Sequence, residues 1–168
     1  GDDLKAALST LPAPRRADVL AGSGDDAAVL ANGNGTQVFT TDHLREIVPD
    51  PWVMTRIAAV HALGDIWAMG GQAQSATAIA TVPPGLESKV EDVLFQMMTG
   101  AVEVLNEANC ALVGGHTGEG MELALGFAVN GLIDDDPARV MRKNGMQPGD
   151  VLVLTKPIGT GTLFAAHA

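Results

Sequence analysis

Three aspartates lie in short sequence contexts that could carry chemistry. Asp26 ends the segment GSGDD (22–26), in which small residues let a phosphate approach the backbone and carboxylates supply the hard oxygens that Mg²⁺ prefers. Asp42 follows two threonines whose hydroxyls could contact ribose, phosphate or metal. Asp65 lies in the apolar stretch RIAAVHALGDIWAMGG (56–71), where a buried carboxylate needs a partner, and a bound cation is one.

Two further segments could contact a phosphate. GGHT (114–117) follows an apolar run, and a strand entering Gly-Gly can present backbone N–H groups to phosphate oxygens. In TKPIGTG (155–161), Lys156 precedes the glycines, so the P-loop spacing is absent, although the lysine could balance acidic ligands. Structural alternatives stay open: plain turns for 22–26 and 114–117, a capped strand for 40–42, and a structural ion pair for Lys156.

A predicted β-hairpin would position the first two aspartates. Strands at 27–30 and 36–42 flank the turn sequence NGNG (32–35), in which Gly and Asn tolerate positive φ. Asp26 and Asp42 would then lie at the outer ends of the hairpin.

A long predicted helix would position the third aspartate. Asp50 can cap the free N–H groups and Pro51 suits the first helical position, so a helix is expected over 51–69. His61 and Asp65 share one face of it, because residues four apart lie one above the other. A lone histidine there is more often a core or interface residue than a ligand.

The remaining elements complete an α+β layer. They are helices over 2–11 and 87–109, strands over 73–82, 110–115, 121–133 and 150–157, and a helix that opens within 159–168. The 110–115 strand is expected to be buried and to run into a glycine turn. The order predicts a mixed or mainly antiparallel sheet with two long helices on one face. In it, Asp26, Asp42 and Asp65 are expected to converge where the hairpin ends meet the helix.

Composition narrows the possible functions. The chain has 168 residues, is 46% hydrophobic and carries a net charge of −10, so a nucleic-acid partner is not expected. No uninterrupted apolar stretch reaches 18 residues and the N-terminus lacks a signal-peptide pattern, so no membrane association is expected. The single cysteine, Cys110, excludes an intrachain disulfide, fits a cytoplasmic location and is expected to be a small core residue.

The motifs together resemble those of selenophosphate synthetase, also called selenide, water dikinase, in the superfamily of aminoimidazole ribonucleotide synthetase. The segments that carry the resemblance are GDDAAVL (24–30), TTD (40–42), RIAAVHALGDIWAMGG (56–71), VGGHT (113–117) and LTKPIGTG (154–161). The resemblance implies an N-terminal domain of the aminoimidazole ribonucleotide synthetase type. It also implies an enzyme that converts selenide, ATP and water into selenophosphate, AMP and phosphate, using Mg²⁺.

The resemblance also implies roles for individual residues. Asp26 and Asp65 match metal ligands, and the nucleotide contacts match Ser23, Gly24, Asp25, Asp42, Asp65, Gly115, His116 and Thr117. The segment 115–117 matches one that reaches ATP held mainly by the other subunit, so a homodimer is expected. The resemblance divides the chain into an ATP-binding, dimer-forming domain over 1–157 and the start of a C-terminal domain over 158–168.

Some features depart from the family pattern. The family's glycine-rich segment with a reactive Cys or selenocysteine has no counterpart here, and Cys110 cannot replace it, so no catalytic residue is assigned and the chain alone is not expected to be active. His61 stands where Asn is common, which resembles a subgroup fused to an oxidoreductase domain. Two alternatives stay open: a sister small-molecule kinase or cyclo-ligase, and a non-catalytic dimerising nucleotide-binding module.

Overall fold

Six strands and three helices make up the computed structural model, which describes residues 16–22, 25–33, 35–133 and 137–167. The strands are β1 (Val19–Ala21), β2 (Ala28–Asn32), β3 (Gly35–Arg45), β4 (Gln72–Val82), β5 (Ala111–Glu119) and β6 (Ala124–Ile133). The helices are α1 (Pro51–Ala68), α2 (Glu87–Glu107) and α3 (Thr160–His167). The helix predicted over 2–11 lies outside the described residues.

One sheet contains all six strands in the order β1-β2-β3-β6-β4-β5. Neighbours pair antiparallel except β4 and β5, which are parallel and are joined through α2. The expected mixed, mainly antiparallel sheet is therefore confirmed, and so is the hairpin, in which Asn32 pairs with Gly35. In the centre of the sheet, β3 and β6 pair from Thr36–Ile133 to Arg45–Ala124.

Helix α1 begins and ends where its sequence predicts. The Asp50 carboxylate accepts a hydrogen bond from the N–H of Val53 at 3.0 Å, and Pro51 occupies the first turn. Gly70 follows the helix with φ of +77°, a left-handed conformation that a side chain would strain. The cap and the glycine thus set the length of the helix that carries Asp65.

Both long helices lie on one face of the sheet. The α1 helix packs on β3, β6 and β4 and along α2, while α2 also packs on β5. Small buried residues such as Ala58, Ala59 and Ala62 bring α1 close to the strands, where Leu63 and Phe127 fill the core. Burying this apolar layer is the main contribution to the stability of the fold.

The opposite face of the sheet is open. Along β3, Thr36, Val38 and Thr40 are buried under the helices, and Phe39 points away from them because successive side chains alternate. We call this the open face and define it by five residues whose positions in the strand register put them on this side of the sheet: Phe39, His43, Ile79, His116 and Leu132.

Three strand predictions need correction, and one strand lacks a prediction. The segment 110–115 is not a buried strand ending in a turn, because β5 continues to Glu119 and is a largely exposed edge strand. Residues 150–157 are not a strand: no described strand pairs with them, and Val151 to Leu154 are 70–82% exposed, so β-propensity alone does not make a strand. Strand β1 was not predicted. The β3 strand runs to Arg45, three residues past Asp42.

None of the described helices is long and apolar enough to span a membrane.

Candidate functional site

Asp42 on β3 and Asp65 on α1 form a close pair of carboxylates under the helix layer. Burial raises the pKa of Asp42 above its ordinary value, the negative charge of Asp65 raises it further, and a hydrogen bond to Asp65 acts in the same direction. The Nε2 atom of His61 lies 3.7 Å from the Asp42 carboxylate and opposes this shift. Two acids therefore share a space in which a positive charge would be stabilised.

His61 does not lie in the core, which was one of the roles that its helix position allowed. Its side chain is 56% exposed and turns toward Asp42, so it is not a core residue. It lies one turn before Asp65, and the imidazole belongs to the rim of the carboxylate pair.

Thr40 connects three elements at this point. Its hydroxyl donates to the Asp65 Oδ2 atom at 2.7 Å and lies 3.5 Å from the backbone oxygen of Asp26. Thr40 is buried, whereas Thr41 is exposed on the other side of the strand, so only the first of the two hydroxyls belongs to this site. Because the hydroxyl donates to Asp65, it fixes the orientation of that carboxylate.

Two basic residues that the sequence analysis did not identify complete the site. The Lys143 Nζ atom lies 2.7 Å from Asp26 Oδ1, and the Arg142 guanidinium lies 3.9 Å from Asp25 Oδ2. The backbone N–H of Lys143 also donates to Asp25 at 3.4 Å. The contact with Asp26 raises the pKa of Lys143, and the charges of Asp25 and Asp65 add to this. An adjacent basic pair in so acidic a chain was the signal available in the sequence.

The structure therefore brings the aspartates of the three motifs to one place. We call Asp25, Asp26, Asp42 and Asp65 the acid cluster. Asp42 and Asp65 are close enough to shift the pKa of Asp42, Thr40 links Asp65 with the backbone of Asp26, and Lys143 pairs with the Asp26 side chain. The expected meeting of the hairpin with the helix is what the geometry shows.

The acid cluster fits a magnesium ion whose coordination is completed by substrate oxygens and water. Across the described residues, no three His, Cys, Asp or Glu side chains are arranged so that they alone could hold a metal. Mg²⁺ in phosphate-binding sites is usually held by one or two carboxylates, with substrate oxygens and water filling the other positions. The Asp42–Asp65 pair, whose negative charges repel each other, suits that kind of site.

Gly115, His116 and Thr117 lie away from the acid cluster. They belong to β5, at the sheet edge, three strand spacings from β3, or about 14 Å at the usual spacing. Gly115 packs against β4: an added Cβ would lie 2.3 Å from the oxygen of Ala78. A cavity of about 360 Å³ lies beside the segment, between β4, β5 and Met98 of α2. Within one chain these residues do not join the acids.

The other candidates are placed as follows. Ser23 and Gly24 lie outside the described residues. Lys156 lies in an exposed irregular segment and has no ion-pair partner in the described part of the chain. Cys110 is 1% exposed, as expected of a core residue, and burial raises the pKa of its thiol, which disfavours the reactive thiolate.

Comparison with known proteins places this geometry in a family. The family described as AIR synthase related protein, N-terminal domain, matches residues 24–133, which contain all the acids of the cluster. A protein of Geobacter sp. (strain M21) named "Selenide, water dikinase" is 45% identical over 144 residues, covering 84% of this chain and 40% of that protein. One of the same name from Nitratidesulfovibrio vulgaris (strain Hildenborough) is 39% identical over 169 residues, covering 98% and 47%.

Solved structures show the same fold. A thiamine-monophosphate kinase from Stenotrophomonas maltophilia K279a is 27% identical with a TM-score of 0.54, covering 79% of this chain and 40% of that one. A structure of AaThiL complexed with AMPPCP and TMP has a TM-score of 0.62 at 20% identity, covering 78% and 40%. This chain spans 40–47% of the length of the two curated relatives above. The chain belongs to the AIR synthase related protein family, with residues 24–133 forming its N-terminal domain.

Proposed function

We propose that this chain is the ATP- and magnesium-binding domain of an enzyme that makes selenophosphate from selenide, ATP and water, releasing AMP and phosphate. The observation that carries the proposal is the 39–45% identity, over 84–98% of the chain, to relatives named selenide, water dikinase. Sister kinases of the same fold are less similar: the thiamine-monophosphate kinase above is 27% identical.

The acid cluster is where the nucleotide would bind. Asp26 and Asp65 would hold Mg²⁺, with Asp42 beside them, and the ion would neutralise and orient the phosphates of ATP. Asp25, together with Ser23 and Gly24, would contact the nucleotide. Thr40 would keep the Asp65 carboxylate in place throughout, since its hydroxyl already donates to it at 2.7 Å.

A homodimer would give the candidate nucleotide-binding residues of β5 a nucleotide to contact. Gly115, His116 and Thr117 lie three strands away from β3 of their own chain, and we propose that they serve the acid cluster of a second copy. The open face supports this arrangement, because Phe39, Ile79 and Leu132 are 39–45% exposed there and His116 shares that face. Apolar side chains on one uncovered sheet face are suited to packing against another sheet.

We also propose a domain organisation and a location for the larger protein. We propose that residues 1–157 form the nucleotide domain, that 158–168 belong to a second domain, and that the enzyme is cytoplasmic. The relatives support a second domain, because the matched region is less than half of their length. The buried, unpaired thiol of Cys110 is compatible with a reducing compartment.

One experiment with two parts tests the proposed function. In the first, calorimetry measures ATP binding with Mg²⁺, and Asp65→Asn should weaken it at least about tenfold because a carboxylate that binds the ion is lost. The matched control is Asp92→Asn, an equal change of charge on α2, where Asp92 accepts a hydrogen bond from Gln96. Unchanged binding in Asp65→Asn would contradict the assigned site.

The second part measures the nucleotide released by the whole protein when selenide is added. AMP and phosphate are expected. ADP as the sole adenosine product would instead indicate a small-molecule kinase, and a dimer that binds no ATP would indicate a non-catalytic module.

A further inference from the structure

The ammonium group of Lys143 is paired with the Asp26 carboxylate, which a divalent cation would need as a ligand. Its Nζ atom lies 2.7 Å from Asp26 Oδ1, so the ammonium already donates to that oxygen, and a metal ion bound there would lie beside a positive charge. The ammonium carries one positive charge, so in this state Asp26 is already partly neutralised. A metal ion that binds Asp26 must therefore displace the Lys143 ammonium or bind beside its positive charge.

The backbone beside Lys143 is held firmly to the end of α1. The N–H of Met141 donates to the Met69 oxygen at 3.1 Å, and Val140 is 9% exposed. The Met141 side chain lies against Gly70, where an added Cβ would be 3.2 Å from its Cγ and Sδ atoms. Two residues further along, Lys143 can release Asp26 by side-chain rotation while its backbone stays in place.

Arg142 adds to this arrangement. Its guanidinium lies 3.9 Å from Asp25, and the N–H of Lys143 donates to the same carboxylate at 3.4 Å. Asp25 thus holds the segment by contacts that do not use the lysine ammonium. The Lys143 side chain is 57% exposed, so it has room to turn away from Asp26.

From this geometry we propose that Lys143 is a positioning residue that holds Asp26 in place of the divalent cation and competes with that cation for the carboxylate. The inference rests on the proposed function, which makes Asp26 a metal ligand. Metal alone then binds more weakly, because it must displace the ammonium or bind beside its positive charge. When ATP is present, its phosphates give both the metal and the displaced ammonium a negative partner.

The test compares metal binding by wild type and Lys143→Met, using Mn²⁺ alone and electron paramagnetic resonance to count free ion. Loss of the competing charge should tighten Mn²⁺ binding about three- to fivefold, as expected for a partly exposed ion pair. Added Mg²⁺ should also raise the Tm of Lys143→Met more than that of wild type. Lys143→Arg keeps the charge and should bind Mn²⁺ as weakly as wild type does.

Lys89→Met is the matched control. It removes the same charge from the start of α2, where Lys89 lines a cavity with Pro51. Asp65 lies 14 residues along α1 from Pro51, or roughly 21 Å at 1.5 Å per residue, so Lys89→Met should change Mn²⁺ binding less than about twofold. Equal or weaker Mn²⁺ binding by Lys143→Met, or no detectable binding by any variant, would overturn the inference.

Failure of the inference and failure of the proposed function give different results. If wild type binds ATP with Mg²⁺ but Lys143→Met binds Mn²⁺ no more tightly, only the inference is wrong. If Lys143→Met binds Mn²⁺ more tightly but no variant binds ATP, the role of Lys143 stands and the proposed function is wrong.

Discussion

Burial and mutual repulsion destabilise the charged Asp42–Asp65 pair when no cation is bound. Burial and mutual repulsion disfavour the charged form of Asp42, and only the neighbouring imidazole of His61 offsets them. Folding keeps the pair together because Thr40 and the packing of α1 fix Asp65. A cost of this kind at a cluster of charges is common at binding sites, where the ligand relieves it.

This cost predicts how stability depends on pH when metal is absent. The folded pKa of Asp42 is raised above 3.8, so the folded chain binds that proton more tightly than the unfolded chain does. The stability that Asp42 contributes is therefore present at low pH and is lost as pH rises from the ordinary value through the raised pKa. Asp42→Asn should remove this loss and stabilise the protein by at most about 1 kcal/mol at neutral pH, because the pair is partly exposed.

Urea denaturation in a metal chelator, repeated across pH, measures the effect. The pH series should run up to about 7.5, well above the ordinary pKa of a carboxyl group. Asp92→Asn on α2 serves as the control and should follow wild type. A less stable Asp42→Asn protein at pH 7.5 would show that repulsion does not dominate at the pair.

The sequence revealed the acids of this site more readily than their partners. Asp26, Asp42 and Asp65 lie in short local patterns of glycine, threonine and helix spacing, which a single sequence displays. The contacts of Arg142 and Lys143 depend on how the chain returns to the end of α1 after β6, and no local pattern encodes that path. The side chain of His61 was likewise placed by tertiary packing rather than by its helix position.

At the level of elements, strong local signals were reliable and weak ones were not. The cap at Asp50 and Pro51 predicted α1, and the periodic apolar residues predicted α2. In contrast, the glycines of 114–117 suggested a turn, although they continue a strand. Gly115 allows β4 and β5 to approach closely, and a sequence alone does not distinguish a glycine with this role from a glycine in a turn.

Strand β5 offers a direct test of that explanation. An alanine at Gly115 would place its Cβ 2.3 Å from the Ala78 oxygen, so Gly115→Ala should force β4 and β5 apart and cost about 1–3 kcal/mol. At Gly114 nothing lies within 4 Å of an added Cβ, so Gly114→Ala should be nearly neutral. Chemical denaturation of both variants measures the difference. Equal stability of the two variants would mean that the strands can separate at no cost.

At the scale of the whole molecule, the sheet separates two sets of candidate nucleotide-binding residues. The acid cluster lies on the helix-covered side of β3, whereas His116 lies on the open face at the other end of the strand order. The two sets of residues match the same proposed nucleotide site, yet within one chain they lie three strands apart. We propose that a second copy packed on the open face covers its apolar side chains, and that β5, an exposed edge strand, reaches around the edge of the partner's sheet to the acid cluster on its other side.

Phe39→Glu tests this proposed dimer. Phe39 lies on the open face and is 44% exposed, so a buried carboxylate at a sheet–sheet interface should shift the protein toward monomer by at least about tenfold in Kd. The control is Phe95→Glu, since Phe95 is 72% exposed on α2, outside the sheet. Sedimentation velocity at several concentrations should find wild type and Phe95→Glu dimeric and Phe39→Glu monomeric. If wild type is a monomer at high concentration, or if Phe95→Glu rather than Phe39→Glu dissociates, the open face is not the interface, and residues 115–117 cannot reach a nucleotide through it.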